Sequence, residues 1–482
     1  MSTMPSQATR QRAARDILVQ VVARILNLAL GVVVTALVVR TLGSSGYGQW
    51  STLFIVLSLV GYFANFGMES VALREAARDP EHEHEWIGAV TMLRLIVLGP
   101  VIGLSILAIF ALQQSHQMLI AGLILILTMP FSGVGALQMI FQLRVNNLVP
   151  MLVVTLRSVL WAIAVYIIYT NHYGMVALAI AMSSTNAIGS IVQAVAALRL
   201  ADTWPRPSRK RLGPLLRSAL PIGISGVLIT SYARIDQVIV FSIAGSGAAG
   251  LYGSVYNVLE QAHFVPVSIL TTLAPVMAAA WPVDRARLLL AARLTAELMA
   301  ITSFGALAFV IVASKPLVQL FFGSEFIRAA PALPVLGGAF IFICFDYLNG
   351  NMLVTLGKQS RLLRISLAAL VVNLAGNLIL VPLVGFMGAA WMTLVTEMVV
   401  FGASLRLILR TLEMPLPAPG RIGRTAVAAA VMGLALGAMR LAGAQLAPLI
   451  LAACVLYPAL LFGLGAFGRE DLHVLRNRGR TV

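Results

Sequence analysis

Two short stretches decide the fold: Leu42-Gly43-Ser44-Ser45-Gly46-Tyr47-Gly48-Gln49-Trp50 and Ala244-Gly245-Ser246-Gly247-Ala248-Ala249-Gly250-Leu251-Tyr252. Each sets Gly-Ser ahead of Gly-x-aromatic, at one constant offset, and each sits between two long apolar runs. That pattern reads as a tight turn joining two membrane-crossing helices, present twice. Further along, the register shifts slightly. Gly174 corresponds to Gly385, and Leu198-Arg199 corresponds to Leu409-Arg410. Residues 17–199 and 214–410 therefore read as two copies of one unit. Each copy holds six apolar stretches. Because six is even, both copies share one orientation and are related by an axis along the membrane normal, with a cavity expected between them.

Composition agrees. The chain has 482 residues, 59% hydrophobic and only 11% charged, with a mean hydropathy of +0.92. A soluble domain carries about 25% charged residues, so nearly the whole chain belongs in a bilayer. Two more apolar stretches over 423–467 follow a connector with Pro415, Pro417 and Pro419, which cannot continue a helix smoothly. The expected fold is all-α and polytopic, with 14 transmembrane helices in two six-helix lobes and a C-terminal pair. The expected organisation is an N-terminal segment 1–16, a first lobe 17–199, a basic linker 200–213, a second lobe 214–410, a linker 411–422, a helix pair 423–467 and a tail 468–482. The longest outer connection, 314–328, is expected to hold a short interfacial helix.

Charge sets the orientation. The chain carries 34 Lys and Arg against 18 Asp and Glu. With the N-terminus in the cytoplasm, most of the basic residues fall in cytoplasmic segments, including Arg206, Arg209, Lys210 and Arg211 and the tail's Arg476, Arg478 and Arg480. Both termini are thus expected inside, in a bacterial cytoplasmic membrane. No solvated basic surface of useful length exists to bind nucleic acid. The first apolar segment is too long for a signal peptide and reads as an uncleaved span. Cys344 and Cys454 each lie within an apolar segment, which suits packing and not a disulfide framework. Loop arginines serve topology in the great majority of cases, so no chemistry is assigned to them.

Three stretches carry a family likeness: Ala23-Arg24-Ile25-Leu26 running to Gly48-Gln49-Trp50, Asn65-Phe66-Gly67-Met68-Glu69 closing in Arg74-Glu75-Ala76-Ala77-Arg78, and Arg234-Ile235-Asp236-Gln237 leading into Gly250-Leu251-Tyr252. They resemble the polysaccharide-transporter family, the O-antigen and capsule repeat-unit flippases within the multidrug, oligosaccharidyl-lipid and polysaccharide exporter (MOP) superfamily. The resemblance covers nearly the whole chain. It implies an alternating-access cycle of two lobes that carries an undecaprenyl pyrophosphate-linked glycan outward. A polysaccharide polymerase and a chain-length regulator are the partners it suggests, besides membrane lipid.

An ionisable group near the bilayer centre costs about 2.5–3.5 kcal/mol on insertion scales, so each embedded charge asks for a reason. The first lobe holds Arg24, Arg94 and Arg157 against Glu69; the second holds Arg234 against Asp236, Glu260, Glu297, Asp346 and Glu397. Arg24, Asn27, Gly31 and Thr35 recur at helical spacing and form one polar or small face. A pyrophosphate suits guanidinium, whose planar fork makes two parallel charge-assisted hydrogen bonds. The expected substrate-binding set is Arg24, Arg94, Arg157, Asn27 and Arg234. Arg94 has a competing reading, pairing with Glu69. A carboxylate in a desolvated site can take up a proton or help ligate sodium, so Asp236, Glu260, Asp346 and Glu397 are the expected ion-coupling residues, for H+ or Na+. No catalytic or metal site and no bound cofactor is expected. The run Glu81-His82-Glu83-His84-Glu85 reads as a solvated loop, since two imidazoles with no fixed partner make no metal site.

Rival classes remain. A membrane polymerase or glycosyltransferase needs acid or base groups on substantial outer loops, and these loops are short. A cation-coupled drug exporter of the same superfamily is disfavoured by the arginine-bearing first lobe and the two extra helices. A flippase for the peptidoglycan lipid precursor shares the fold and the span number, and stays open.

Overall fold

The computed structural model describes residues 7–112, 114–144, 148–201, 204–412 and 419–466. Most of the 1–16 segment's start, the connector prolines Pro415 and Pro417, and the tail with Arg476, Arg478 and Arg480 lie outside the described residues. Among the described residues the chain is all-α, without strands. In chain order the helices are α1 (Gln7–Asn65), α2 (Met68–Arg78), α3 (Glu83–Leu112), α4 (His116–Ile126), α5 (Met129–Val134), α6 (Gln138–Leu143), α7 (Leu148–Thr170), α8 (Met175–Leu200) and α9 (Arg209–Ala262). These are followed by α10 (Phe264–Ala280), α11 (Arg285–Phe322), α12 (Ala332–Thr355), α13 (Gln359–Val384), α14 (Phe386–Leu412), α15 (Pro419–Leu441) and α16 (Leu446–Gly463).

Eleven described helices are long and apolar enough to cross a membrane, or up to 12 if the bent pair His116–Phe131 and Gly135–Leu143 counts as one span. Fourteen segments are expected from the sequence, and the count of eleven takes bent helices as one each: α1 and α9 both consist of two helical legs that meet at a glycine with non-helical backbone, Gly43 (φ 65) and Gly245 (φ 86). Both angles are positive, where only glycine sits without strain. The stretches Leu26–Arg78 and Arg234–Ala280 are accordingly 53 and 47 residues long, far more than the roughly 20 that one crossing needs. The segment 314–328, expected to hold a short helix, begins within α11 and ends in a short 3-10 helix. Helix α11 extends to Phe322, and Ser324–Ala329 is a 3-10 helix.

The helices gather into two compact units, residues 1–250 and 251–482. The first unit takes in the first leg of α9, and the duplicated turns explain why. A Cβ at Gly48 would fall on the Ser246 carbonyl oxygen, and one at Gly250 on the Ser44 carbonyl oxygen. The repeats therefore meet as a reciprocal pair of backbone contacts, closed by a 2.8 Å hydrogen bond between the Ser45 and Ser246 hydroxyls. At the other end of that leg Gly223 faces the ring of Phe66, with no room for a side chain.

Short α2 is amphipathic. Its Met68, Val71, Ala72 and Ala76 recur on one face and are buried against Trp86, Val90 and Leu93 of α3, while Glu69, Arg74, Glu75 and Arg78 occupy the rest. In the second unit the C-terminal pair is anchored to α11. The Tyr457 hydroxyl donates to the Ile301 carbonyl at 2.7 Å, and its ring lies where Gly305 leaves space. Close helix approach of this kind depends on small residues.

Candidate functional site

In the first unit, Asn27 of α1 donates to the Ala23 carbonyl at 2.8 Å and to Thr155 Oγ1 of α7 at 3.0 Å. Its own amide oxygen Oδ1 is buried and has no hydrogen-bond partner among the described residues. One turn before it, Arg24 is exposed. Two residues beyond Thr155, Arg157 is exposed as well, and forms no hydrogen bond or ion pair among the described residues. Its aliphatic stem lies on Gly189 of α8, where a Cβ would stand 3.3 Å from Arg157 Cδ. The structure thus brings the α1 polar face and the Arg157 segment of α7 together through one side-chain hydrogen bond.

Arg94 is placed differently. It is only 6% exposed, and its guanidinium donates to Glu69 at 2.9 Å and to Asn65 Oδ1 at 2.6 Å. It ties α3 to the α1–α2 corner. Of the two readings open from sequence, this geometry is the paired one. Arg234 is half-buried on α9, and Asp236 is buried at 3% exposure with its carboxylate accepting from the Gln237 backbone N–H at 2.7 Å. Gln237 in turn donates to Ser51 at 2.6 Å. Both Arg234 and Asp236 lie in the first unit, whereas Glu260, Asp346 and Glu397 lie in the second.

In the second unit Asp346 of α12 accepts from Ser404 of α14 at 3.2 Å, and Ser404 accepts from Asn349 at 2.9 Å. Glu397 lies near Asp346, so two carboxyl groups of like charge approach each other within the helices. Asp346 Oδ2 is buried without a hydrogen-bond partner among the described residues. Thr393, Thr396, Glu397 and Ser404 recur on one buried face of α14, opposite Asn373 and Asn377 of α13 and Tyr252. Glu260 is half-buried on α9. The asparagines and threonines were not singled out from sequence. Their signal was the helical recurrence of small amides and hydroxyls within apolar stretches, weaker than that of a charge. No three His, Cys, Asp or Glu side chains converge on a possible metal site among the described residues.

The acidic-histidine run is not a free solvated loop but an ion-paired corner. Glu83 holds Arg144 with bonds of 2.6 and 3.0 Å. Arg211 bridges Asp79 at 3.3 Å and Glu85 at 3.0 Å and lies 4.9 Å from the centre of the Trp86 ring. The Arg206 backbone N–H donates to the His84 carbonyl, and Gly88 leaves room for that strand of linker. The linker is thus strapped to the α2–α3 corner. Asp79 holds His82 at 2.9 Å, which raises the imidazole pKa and lowers that of Asp79; the Arg211 guanidinium lowers that of Glu85. The histidine's contribution is complete below its ordinary 6.5 and is lost as pH rises through the raised value. The carboxylates' contributions are complete above 3.8 and 4.5 and are lost as pH falls through their lowered values. Amide exchange over residues 204–211, corrected for intrinsic rates, is expected to speed up as pH falls below 4.5, where Glu85 and Asp79 take up protons and release Arg211.

Among the described residues, eleven or twelve long apolar helices with charge buried among them define a multi-pass membrane protein, and its fold is shared by solved transporters. A structure described as the lipid II flippase MurJ in an inward closed conformation matches with a TM-score of 0.76 and 15% identity, over 92% of this chain and 98% of that one. An inward-facing multidrug resistance MATE-family transporter matches at 0.67 and 18% identity, over 81% and 96%. A MOP-superfamily transporter from Pyrococcus furiosus, described as having a binding pocket of reverse polarity, matches at 0.59 and 17%, over 82% and 95%. No curated protein matches. The model of the family described as "Polysaccharide biosynthesis protein" matches residues 13–281, more than half the chain, and the chain belongs to that family.

Proposed function

We propose that this protein is a flippase that moves an undecaprenyl pyrophosphate-linked oligosaccharide from the inner to the outer leaflet of the bacterial cytoplasmic membrane by alternating access, with both termini cytoplasmic. The observation that carries the reading is Arg157, an exposed intramembrane cation without a hydrogen-bond or ion-pair partner among the described residues, on the helix that bonds to Asn27, one turn from Arg24. Two guanidiniums offer forked donors to a diphosphate, and the family's tie to polysaccharide biosynthesis supports a glycan on the lipid. In this reading Arg94 positions the α2–α3 corner and does not touch substrate. Arg234 remains a secondary phosphate contact.

The carboxyl pair Asp346–Glu397 is the proposed coupling site, with Asp236 and Glu260 as further members of the ion-coupling set. One cation, a proton or sodium, fits between the two carboxyls and relieves both the buried Asp346 Oδ2 and the like-charge approach. No chemistry on the sugar is assigned to the protein; a polymerase with its chain-length regulator would receive the product. Depletion of the protein in cells is expected to leave the finished lipid-linked repeat unit on the inner leaflet, inaccessible to an impermeant oxidant of sugars applied outside. Unchanged outer-leaflet labelling after depletion would refute the proposal.

A further inference from the structure

We infer that a groove between α10 and α12 seats a sugar ring of the lipid-linked glycan, with Trp281 along the apolar face of the ring and Asn351 and Thr355 along its hydroxyl edge; the inference rests on the flippase reading. Ala274 and Ala278 of α10 share one face with Trp281 at its C-terminal end, and Asn351 and Thr355 share one face of α12. Alanine at 274 and 278 leaves space that larger side chains would fill. The groove measures about 480 Å3, within the usual range of small-ligand sites.

Its polar groups are unspent. The Asn351 side chain forms no hydrogen bond among the described residues, its Oδ1 being buried without a partner, and the Thr355 hydroxyl forms none either. An unpaired amide on a membrane helix is costly unless something satisfies it. A hydrocarbon chain from the bilayer cannot. A phosphate headgroup would find no cation, because every residue lining the groove is uncharged. Water could reach the amide but gains nothing from the indole beside it. A pyranose answers both halves of the wall: its C–H faces suit an aromatic ring, and its hydroxyls can donate to and accept from an amide and a hydroxyl. Position agrees as well. The segment that follows α10 carries Arg285 and Arg287, and the one that follows α12 carries Lys358, Arg361 and Arg364, the basic pattern of cytoplasmic connections. The groove therefore lies at the cytoplasmic ends of both helices, on the side where a lipid-linked glycan is loaded.

The test uses the full-length protein in phosphatidylcholine nanodiscs prepared without glycoside detergents, which would compete for a sugar site. Affinity is measured for the undecaprenyl pyrophosphate-linked oligosaccharide purified from depleted cells and for undecaprenyl pyrophosphate alone. The parent should bind the glycan-bearing lipid about ten-fold more tightly, and Trp281→Ala and Asn351→Leu should each lower that ratio about five-fold, the scale of a lost ring contact or neutral hydrogen bond. Asn351→Leu should also hold or raise the melting temperature, because it removes an unpaired amide; an asparagine with a purely structural role would not combine the two effects. Ala278→Phe, which fills the groove from α10, should bring the ratio near one, and Ala274→Leu serves the same purpose if the first variant fails to fold. Flipping by the parent in proteoliposomes tests the flippase reading separately. A ratio near one in a parent that flips the lipid, or an undiminished ratio in folded Trp281→Ala and Asn351→Leu, would overturn this inference alone; binding of neither lipid by the parent would overturn both.

Discussion

Glu69→Ala is expected to destabilise the protein by about 3–5 kcal/mol, because it removes a carboxylate that balances the Arg94 guanidinium in a setting where it is 6% exposed. Asn65 remains as an acceptor, but a neutral amide oxygen does not balance a buried cation. Removing both charges should cost far less: Glu69→Ala with Arg94→Leu is expected to recover most of the lost melting temperature, since no unpaired charge is left. Thermal unfolding in detergent of the two single variants and the double variant measures this directly. Additive losses would show that the pair is not the coupled unit the geometry describes. The comparison also separates Arg94 from the substrate-binding set, because the double variant should keep transport in proportion to its folded amount.

The second large effect concerns Arg157. Its replacement by alanine should leave the melting temperature near that of the parent, since the side chain is exposed and forms no ion pair among the described residues. Transport, in contrast, should fall by about ten- to hundred-fold, the loss expected when charged hydrogen bonds to a phosphate are removed. Arg157→Lys should restore part of it, as a point charge without the fork. Gly189→Leu should lower transport in the same direction with Arg157 intact, because the new side chain takes the place on which the Arg157 stem rests. Initial rates in proteoliposomes, normalised to inserted protein, report all three. Full activity in Arg157→Ala would remove the residue from the site.

Much of this architecture was legible because membrane crossing imposes a coarse pattern on sequence. The two Gly-Ser turns marked the duplication, and they are the points where α1 and α9 bend with glycine at positive φ. The pattern did not distinguish an open turn from a glycine kink between two helical legs, since both ask for the same residues. Embedded charges stood out one by one; Arg24 lies one turn before Asn27 and Arg157 two residues beyond Thr155, the two residues that bond to each other. Pairing was harder to read. Arg94 and Glu69 are far apart in the chain, and only the fold of α2 back onto α3 brings them together. The acidic-histidine run showed the same limit: its partners Arg144 and Arg211 arrive from other segments. The polar layer around Asp346 was legible only in its carboxylates, because Asn349, Asn373 and Ser404 are unremarkable until α12, α13 and α14 are packed.

The central claim is that exposed guanidiniums in the first unit carry a pyrophosphate-linked glycan across the membrane. Its most direct measurement is movement of undecaprenyl pyrophosphate-linked oligosaccharide in proteoliposomes, followed by an impermeant glycan label, for the parent chain and for Arg24→Ala with Arg157→Ala at equal insertion. Flipping by the parent and its loss in the double variant is the predicted result; equal flipping by both would contradict the account.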